Sequence, residues 1–267
     1  MIFQTWKNWK RKKIKQRPFP LKWLEIINQR IPYYQLLPDA DKKELLGHAQ
    51  IFLYEKHFEG CGGVIVTDEM RVVIAAQACI LLLHRPPDYF PLLESILIYP
   101  HPFISKVSHR LPGGIVSEEN QARDGESWGF GTVILAWDDV LNGARDTNDG
   151  HNVVMHEFAH QLDEESGSAN GAPVLELRSQ YTAWARVLSD EFHKLNLDLK
   201  KNRKSVMDKY GATNPAEFFA VATETFFEKP VQLKKKHPEL YEELKLFYRQ
   251  DPATQRDLLD IDIDSLT

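Results

Sequence analysis

Apolar positions in this chain recur mostly at intervals of three and four, the spacing of a helix with one buried face, and in a few places gather into short β-prone runs. Pro38 and Asp39 open a helix that the pattern carries to about Tyr54. From Lys56 to Val66 the apolar residues are interrupted by Gly60, Gly62 and Gly63, which reads as short strands or a hairpin. Thr67 then caps a helix rich in Ile, Ala and Leu that runs to about His84. Leu93 to Tyr99 reads as a strand ended by Pro100, and Gly129 to Trp137 is again β-prone. Arg85 to Tyr89 and Ser166 to Pro173 are loops by their Pro, Gly, Ser and Asn content.

Two further helices carry the most information. Val153, Val154, Phe158 and Leu162 fall at helical spacing, and Asn148 or Asp149, ahead of Gly150, can cap that helix. Downstream, Asn214 reads as a cap and Pro215 as the first residue of a helix whose Phe218, Val221, Ala222 and Phe226 form a core-facing stripe. Strands and helices mixed in this way predict an α+β domain.

At 267 residues, 43% of them hydrophobic, the chain can bury one sizeable core without disulfides. Cys61 and Cys79 are too few and too far apart for a thiolate metal site or a redox motif, so a reducing compartment is the simpler reading. No apolar run approaches about 18 residues, and the first residues lack the apolar core of a signal peptide. The expectation is a soluble cytoplasmic protein.

Charge is unevenly distributed. Residues 1–22 hold eight Lys or Arg and no acid, leaving 25 basic against 38 acidic side chains, a net −13, on the remainder. An acidic body argues against direct nucleic-acid binding. Trp6 and Trp9 would share one side of a short helix, so the basic start could make weak contact with an anionic membrane surface; a solvated, poorly ordered tail over residues 1–20 is the plainer expectation.

The first of the two informative helices contains His156-Glu157-Phe158-Ala159-His160, an HExxH pattern. Histidines four apart project from one helix face and can grip one metal ion, and Glu157 stands where it could take a proton from a bound water. Neutral imidazoles suit Zn²⁺ and leave a coordination position open. The alternative is a pair of satisfied histidines on a half-buried helix beside a solvated carboxylate. A catalytic zinc site needs a third protein ligand. Asp163 and Ser166 occupy the places where the extended HExxHxxGxxH form would put its glycine and third histidine, so a downstream glutamate is expected. Glu217 and Glu224 share a face of the second helix but lie about two turns apart, so only one can reach the metal. Glu217 is favoured, although three residues after Asn214 it also fits the capping box, where it would bond back to the cap. Glu224 could equally be a charge at the rim of an apolar helix. Asp163, one turn beyond His160, could orient a ligand or face water.

The segments His156-Glu-Phe-Ala-His-Gln-Leu-Asp163, Ala169-Asn-Gly-Ala-Pro173 and Tyr210-Gly-Ala-Thr-Asn-Pro-Ala-Glu217-Phe-Phe-Ala resemble the bacterial Mlc titration factor A family. The likeness runs from about Thr67 to Phe247 and includes Thr67-Asp-Glu-Met-Arg71 and Leu97-Ile-Tyr-Pro-His-Pro-Phe103. That family's catalytic part is similar to the lethal factor metalloprotease domain. The resemblance implies a gluzincin-like zinc metallopeptidase domain over residues 21–255, with an HExxH helix, a glutamate-bearing helix after it and a C-terminal tail over 256–267. It implies His156, His160 and Glu217 as ligands to one Zn²⁺, Glu157 as base and Tyr210 as a catalytic tyrosine seven residues before the ligand glutamate. The implied activity is aminopeptidase-like hydrolysis of short peptides by zinc-activated water. The implied alternative is a regulatory protein that sequesters an Mlc-type transcriptional repressor. Because a strand before the zinc helix often rims the cleft in metallopeptidases of this architecture, the resemblance also makes the Gly129–Trp137 run a candidate edge for a peptide substrate; an ordinary buried strand is the equal alternative.

Overall fold

The computed structural model describes residues 2–110, 116–123, 125–127 and 131–256. The chain opens with four helices, α1 (Ile2–Lys15), α2 (Leu21–Arg30), α3 (Pro32–Leu36) and α4 (Asp39–Glu55). Strand β1 (His57–Gly60) and helix α5 (Asp68–Ile80) lead to β2 (Ser95–Tyr99), β3 (Phe103–Arg110), β4 (Val116–Arg123), β5 (Gly125–Ser127) and β6 (Thr132–Ala136). Helices α6 (Trp137–Arg145), α7 (Val153–Glu164) and α8 (Gln180–Lys200) follow. A short 3-10 turn at Lys209–Ala212 precedes α9 (Pro215–Glu228), α10 (Pro230–Lys236) and α11 (Pro238–Tyr248). Helix dominates, and the small mixed sheet is compatible with the α+β expectation.

The sheet runs in the order β1-β2-β6-β5, with β1, β2 and β6 parallel and β5 antiparallel to β6. Parallel neighbours need a crossover, and α5 supplies the one between β1 and β2. Two expectations change here. The glycine-broken run after Lys56 yields one strand that pairs in parallel with β2, and no hairpin of its own. Within the Gly129–Trp137 run, β6 lies between β2 and β5, so it is not an edge; the two edges of this sheet are β1 and β5. Residues 129–130 of that run lie outside the described residues.

Several local signals are borne out. Asp39–Glu55 is a helix, the Thr67 hydroxyl accepts from the Met70 amide at the start of α5, and the strand before Pro100 is present. The cap of α7 is Asn152, whose side chain accepts from Met155 N, in place of Asn148 or Asp149. Those two residues instead build the turn before it: the Asn148 amide bonds Asp146 and the His151 amide bonds Asp149.

Helix α9 reads apolar nearly all round and every residue from Phe218 to Glu228 is buried, the pattern of a helix at the centre of a domain. Phe226 and Phe227 pack against Tyr248 of α11, and Phe219 against Trp184 of α8. On the other side, Phe158 of α7 meets Phe52 of α4 and Phe90, with centroids 5.6 and 4.7 Å away. Helix α7 thus sits between the sheet and α9, with its histidine-bearing side turned to α9.

Residues 2–15, expected to be a solvated tail, form a helix docked on the body. Arg11 is buried between Glu55 and Asp88, at 2.7 and 2.9 Å, and Ile14 joins the core. A segment with no acid of its own finds its counter-ions 44 and 77 residues away, which no local pattern reveals. Among the described residues no helix is long and apolar enough to cross a membrane.

Candidate metal centre

Asn152 ends the loop before α7, and its buried side chain joins three other elements. Its amide nitrogen Nδ2 donates to Gln77 Oε1 of α5 (2.9 Å), the Gly143 carbonyl of α6 (3.1 Å) and Glu228 Oε1 of α9 (3.2 Å). Its backbone N–H donates to Glu224 Oε1 of α9 at 2.8 Å. Gly143 must be glycine for this approach, since a Cβ there would sit 2.9 Å from Asn152 Cα. The start of α7 is therefore fixed against α9 by hydrogen bonds, and the histidines one and two turns later inherit that position.

At the start of α9, Asn214 caps its own helix by accepting from Glu217 N at 3.0 Å, as the sequence predicts. The Glu217 side chain does not close the capping box. It turns across to α7, where Oε2 lies 3.0 Å from His156 Nε2 and 3.3 Å from His160 Nε2. These three residues offer ligand atoms that all lie within 4.8 Å of one another. Glu224, two turns on, meets the opposite nitrogen of the same ring, with Oε2 2.9 Å from His156 Nδ1. The two glutamates thus grip His156 from its two sides, and only Glu217 faces both histidines.

The chemistry of this donor set fits a metal. Both ring nitrogens of His156 face carboxylate oxygens, which only accept. Neutral imidazole has one N–H, so with both carboxylates ionised the second nitrogen suits a cation: a proton, or a metal ion that His156, His160 and Glu217 would hold. Burial would lower the His156 pKa, but Glu224 and Glu217 hold it well above its ordinary value. Burial would raise Glu217, yet hydrogen bonds from His156 and His160 keep it well below the usual carboxylate range.

Glu157 is 5% exposed and burial raises its pKa, with His156 and His160 opposing. Its Oε2 is a buried acceptor with no protein partner, a feature that calls for a functional explanation. Tyr210, in the turn before α9, is half exposed, with its ring centroid 5.9 Å from that of His156. All five residues singled out in the sequence are therefore brought to one place. Asp163 is fully buried and does not face water; it accepts from the Gly171 amide at 2.6 Å. Gly171 has φ +78°, and a Cβ there would lie 2.5 Å from the Pro215 carbonyl. With Trp184 Nε1 donating to the Gly171 carbonyl, this turn wedges the end of α7 against the first residue of α9. Sequence reading did not find the roles of Asn152, Gln77 or Gly171. The available signal was Asn152 three residues before Met155, a cap spacing as good as that of Asn214.

Two helices of this helix-rich α+β fold thus present two histidines and a glutamate to a common point, a donor set of the kind a metallopeptidase uses. Comparison with known proteins makes this specific: the profile of the glucose-regulated metallo-peptidase M90 family matches residues 6–249, and the chain belongs to that family. An uncharacterised protein of Synechocystis sp. is 43% identical over 251 residues, covering 94% of this chain and 91% of its own length. Proteins called Mlc titration factor A from Yersinia pestis and Yersinia pseudotuberculosis are 32% identical over 238 residues, covering 87% of this chain and 86% of theirs. Membership of a metallopeptidase family implies a metal ion, and the cluster of His156, His160 and Glu217 is suited to hold it.

Proposed function

We propose that this chain is a gluzincin-type zinc peptidase in which His156, His160 and Glu217 hold one Zn²⁺. The observation that carries this reading is Glu217 Oε2, which leaves its own helix cap to face the Nε2 atoms of both histidines. Bound there, zinc would supply Lewis acidity, polarising a carbonyl and lowering the pKa of water. Glu157 acts as general base, because its buried Oε2, without a protein hydrogen-bond partner, lies in the field of both histidines. Tyr210 donates a hydrogen bond to the oxyanion that develops as the peptide carbonyl is attacked. Glu224 orients His156 through Nδ1, as carboxylates behind metal-bound histidines do. A peptide would add to the sheet at β5, the edge strand that packs beside α7. Aminopeptidase-like action on short peptides is the finer reading, supported by the family likeness alone.

The name Mlc titration factor A, borne by relatives that cover most of this chain, supports a second reading: binding of an Mlc-type repressor, with hydrolysis secondary. One experiment separates the two. In a peptide-library assay, Glu157→Gln should keep its metal and fold while losing nearly all hydrolysis, and Tyr210→Phe should lower turnover by roughly 10²–10³. Wild-type turnover in Glu157→Gln would refute the mechanism. No hydrolysis by the wild type, together with capture of an Mlc-type repressor, would favour the second reading.

A further inference from the structure

Helix α1 is amphipathic in an unusual sense. Its inward face is held by a charge and its outward face carries the aromatics. Arg11 donates to Glu55 and Asp88, lies 4.5 Å over the Tyr89 ring, and is joined on the inward side by the core residue Ile14. The fit to α4 is close, because a Cβ on Gly47 would lie 2.8 Å from the Lys15 stem. Trp9 is two residues from Arg11, about 200° round the helix, and points away from the body. Trp6 and Trp9 are 56% and 53% exposed, and Tyr54 at the end of α4 is 52% exposed beside them. Soluble domains rarely leave two adjacent tryptophans this open without a use for them.

The charge around these rings indicates the partner. Lys10 Nζ lies 4.9 Å from the Trp6 ring and 4.6 Å from Tyr54, and Lys13 Nζ lies 3.8 Å from the Trp9 ring. Among the described residues, the ion pairs of residues 1–22 are those of Lys7, Arg11 and Lys22, and Lys12 and Lys13 are exposed without one, while Lys10 is half-buried against the Trp6 and Tyr54 rings. Aromatic rings flanked by lysines, on a helix lying flat against its own domain, suit the headgroup layer of a bilayer. There indoles rest at the polar boundary and ammonium groups reach anionic phosphates. The acidic remainder of the chain opposes such contact, but at physiological salt its field falls off within about 8 Å, leaving the local lysines to dominate.

We propose that the Trp6, Trp9 and Lys13 face of α1 is a docking surface for an anionic lipid bilayer. The inference is independent of the metal centre. It predicts that the full-length chain cosediments with vesicles of phosphatidylcholine and phosphatidylglycerol (3:1) and far less with phosphatidylcholine alone. Trp6→Ser/Trp9→Ser should abolish cosedimentation, and Lys12→Gln/Lys13→Gln should weaken it about 25-fold, the product of about fivefold per lysine. Circular dichroism should match wild type in both, because the Arg11 and Ile14 anchors are untouched. Equal binding to both vesicle types, or wild-type binding by both double variants, would overturn the proposal. So would absence of vesicle binding with tryptophan-dependent self-association in light scattering, which would assign the face to a second copy of the chain.

Discussion

The two helices that build the candidate metal centre are both capped by asparagine, and the two caps differ in kind. Asn214 is exposed and its side chain serves its own helix. Asn152 is buried and bonds α5, α6 and α9 as well as its own first turn. A local cap starts a helix, whereas a shared one also fixes where that helix stands. The centre needs both, because α7 must be placed to within hydrogen-bond distance of glutamates 61 and 68 residues further on.

Removing the caps tests this difference with the largest effect. Asn152→Ala deletes a cap and strands buried acceptors on Gln77 and Gly143, so urea denaturation should show a loss of about 3 kcal/mol or more. Asn214→Ala should cost about 1 kcal/mol, the ordinary value of an exposed cap. Equal losses would remove the distinction.

The legibility of the sequence divides along the same line. The Asn214 cap, the α9 stripe, the Thr67 cap and the HExxH spacing are local, and each could be read without a fold. The networks of Asn152 and Arg11 could not, since their partners lie tens of residues away and are chosen by packing. The choice between Glu217 and Glu224 was legible only as a preference, because both lie on one face of α9. Their division between the two nitrogens of His156 depends on how α7 crosses that face. The edge position of β5 escaped for a similar reason: sheet order is set by pairing, and periodicity does not report it.

The Gly171 turn fixes the same helix pair from the α9 side. Gly171→Ala faces both a left-handed backbone and the Pro215 carbonyl, so it should cost about 2–3 kcal/mol and weaken metal retention by displacing the start of α9. Gly167→Ala, with φ +99° but nothing within 4 Å of a new Cβ, should cost only about 1 kcal/mol and leave the metal in place. Thermal unfolding with metal analysis of the two variants would decide.

A smaller effect concerns pH at the Asn152 hub. Burial pushes Glu228 up to about 9 from an ordinary 4.5. Between those values the folded chain holds a proton that the unfolded chain has lost, so stability from this group is fullest below 4.5 and declines as pH rises towards 9. Glu228→Gln keeps an acceptor for Asn152 and removes the titration. Its stability should therefore vary less with pH from 5 to 9, and at pH 8 its midpoint should equal or exceed that of the wild type by a few degrees. A steeper pH dependence in the variant would contradict this assignment.

In the proposed zinc site, α9 supplies the metal ligand from Glu217 and the orienting group from Glu224. Elemental analysis of protein purified without chelator tests it directly. Wild type should carry about one zinc per chain, Glu217→Ala near none, and Glu224→Ala should retain zinc more weakly. Full zinc in Glu217→Ala with loss in Glu224→Ala would contradict it.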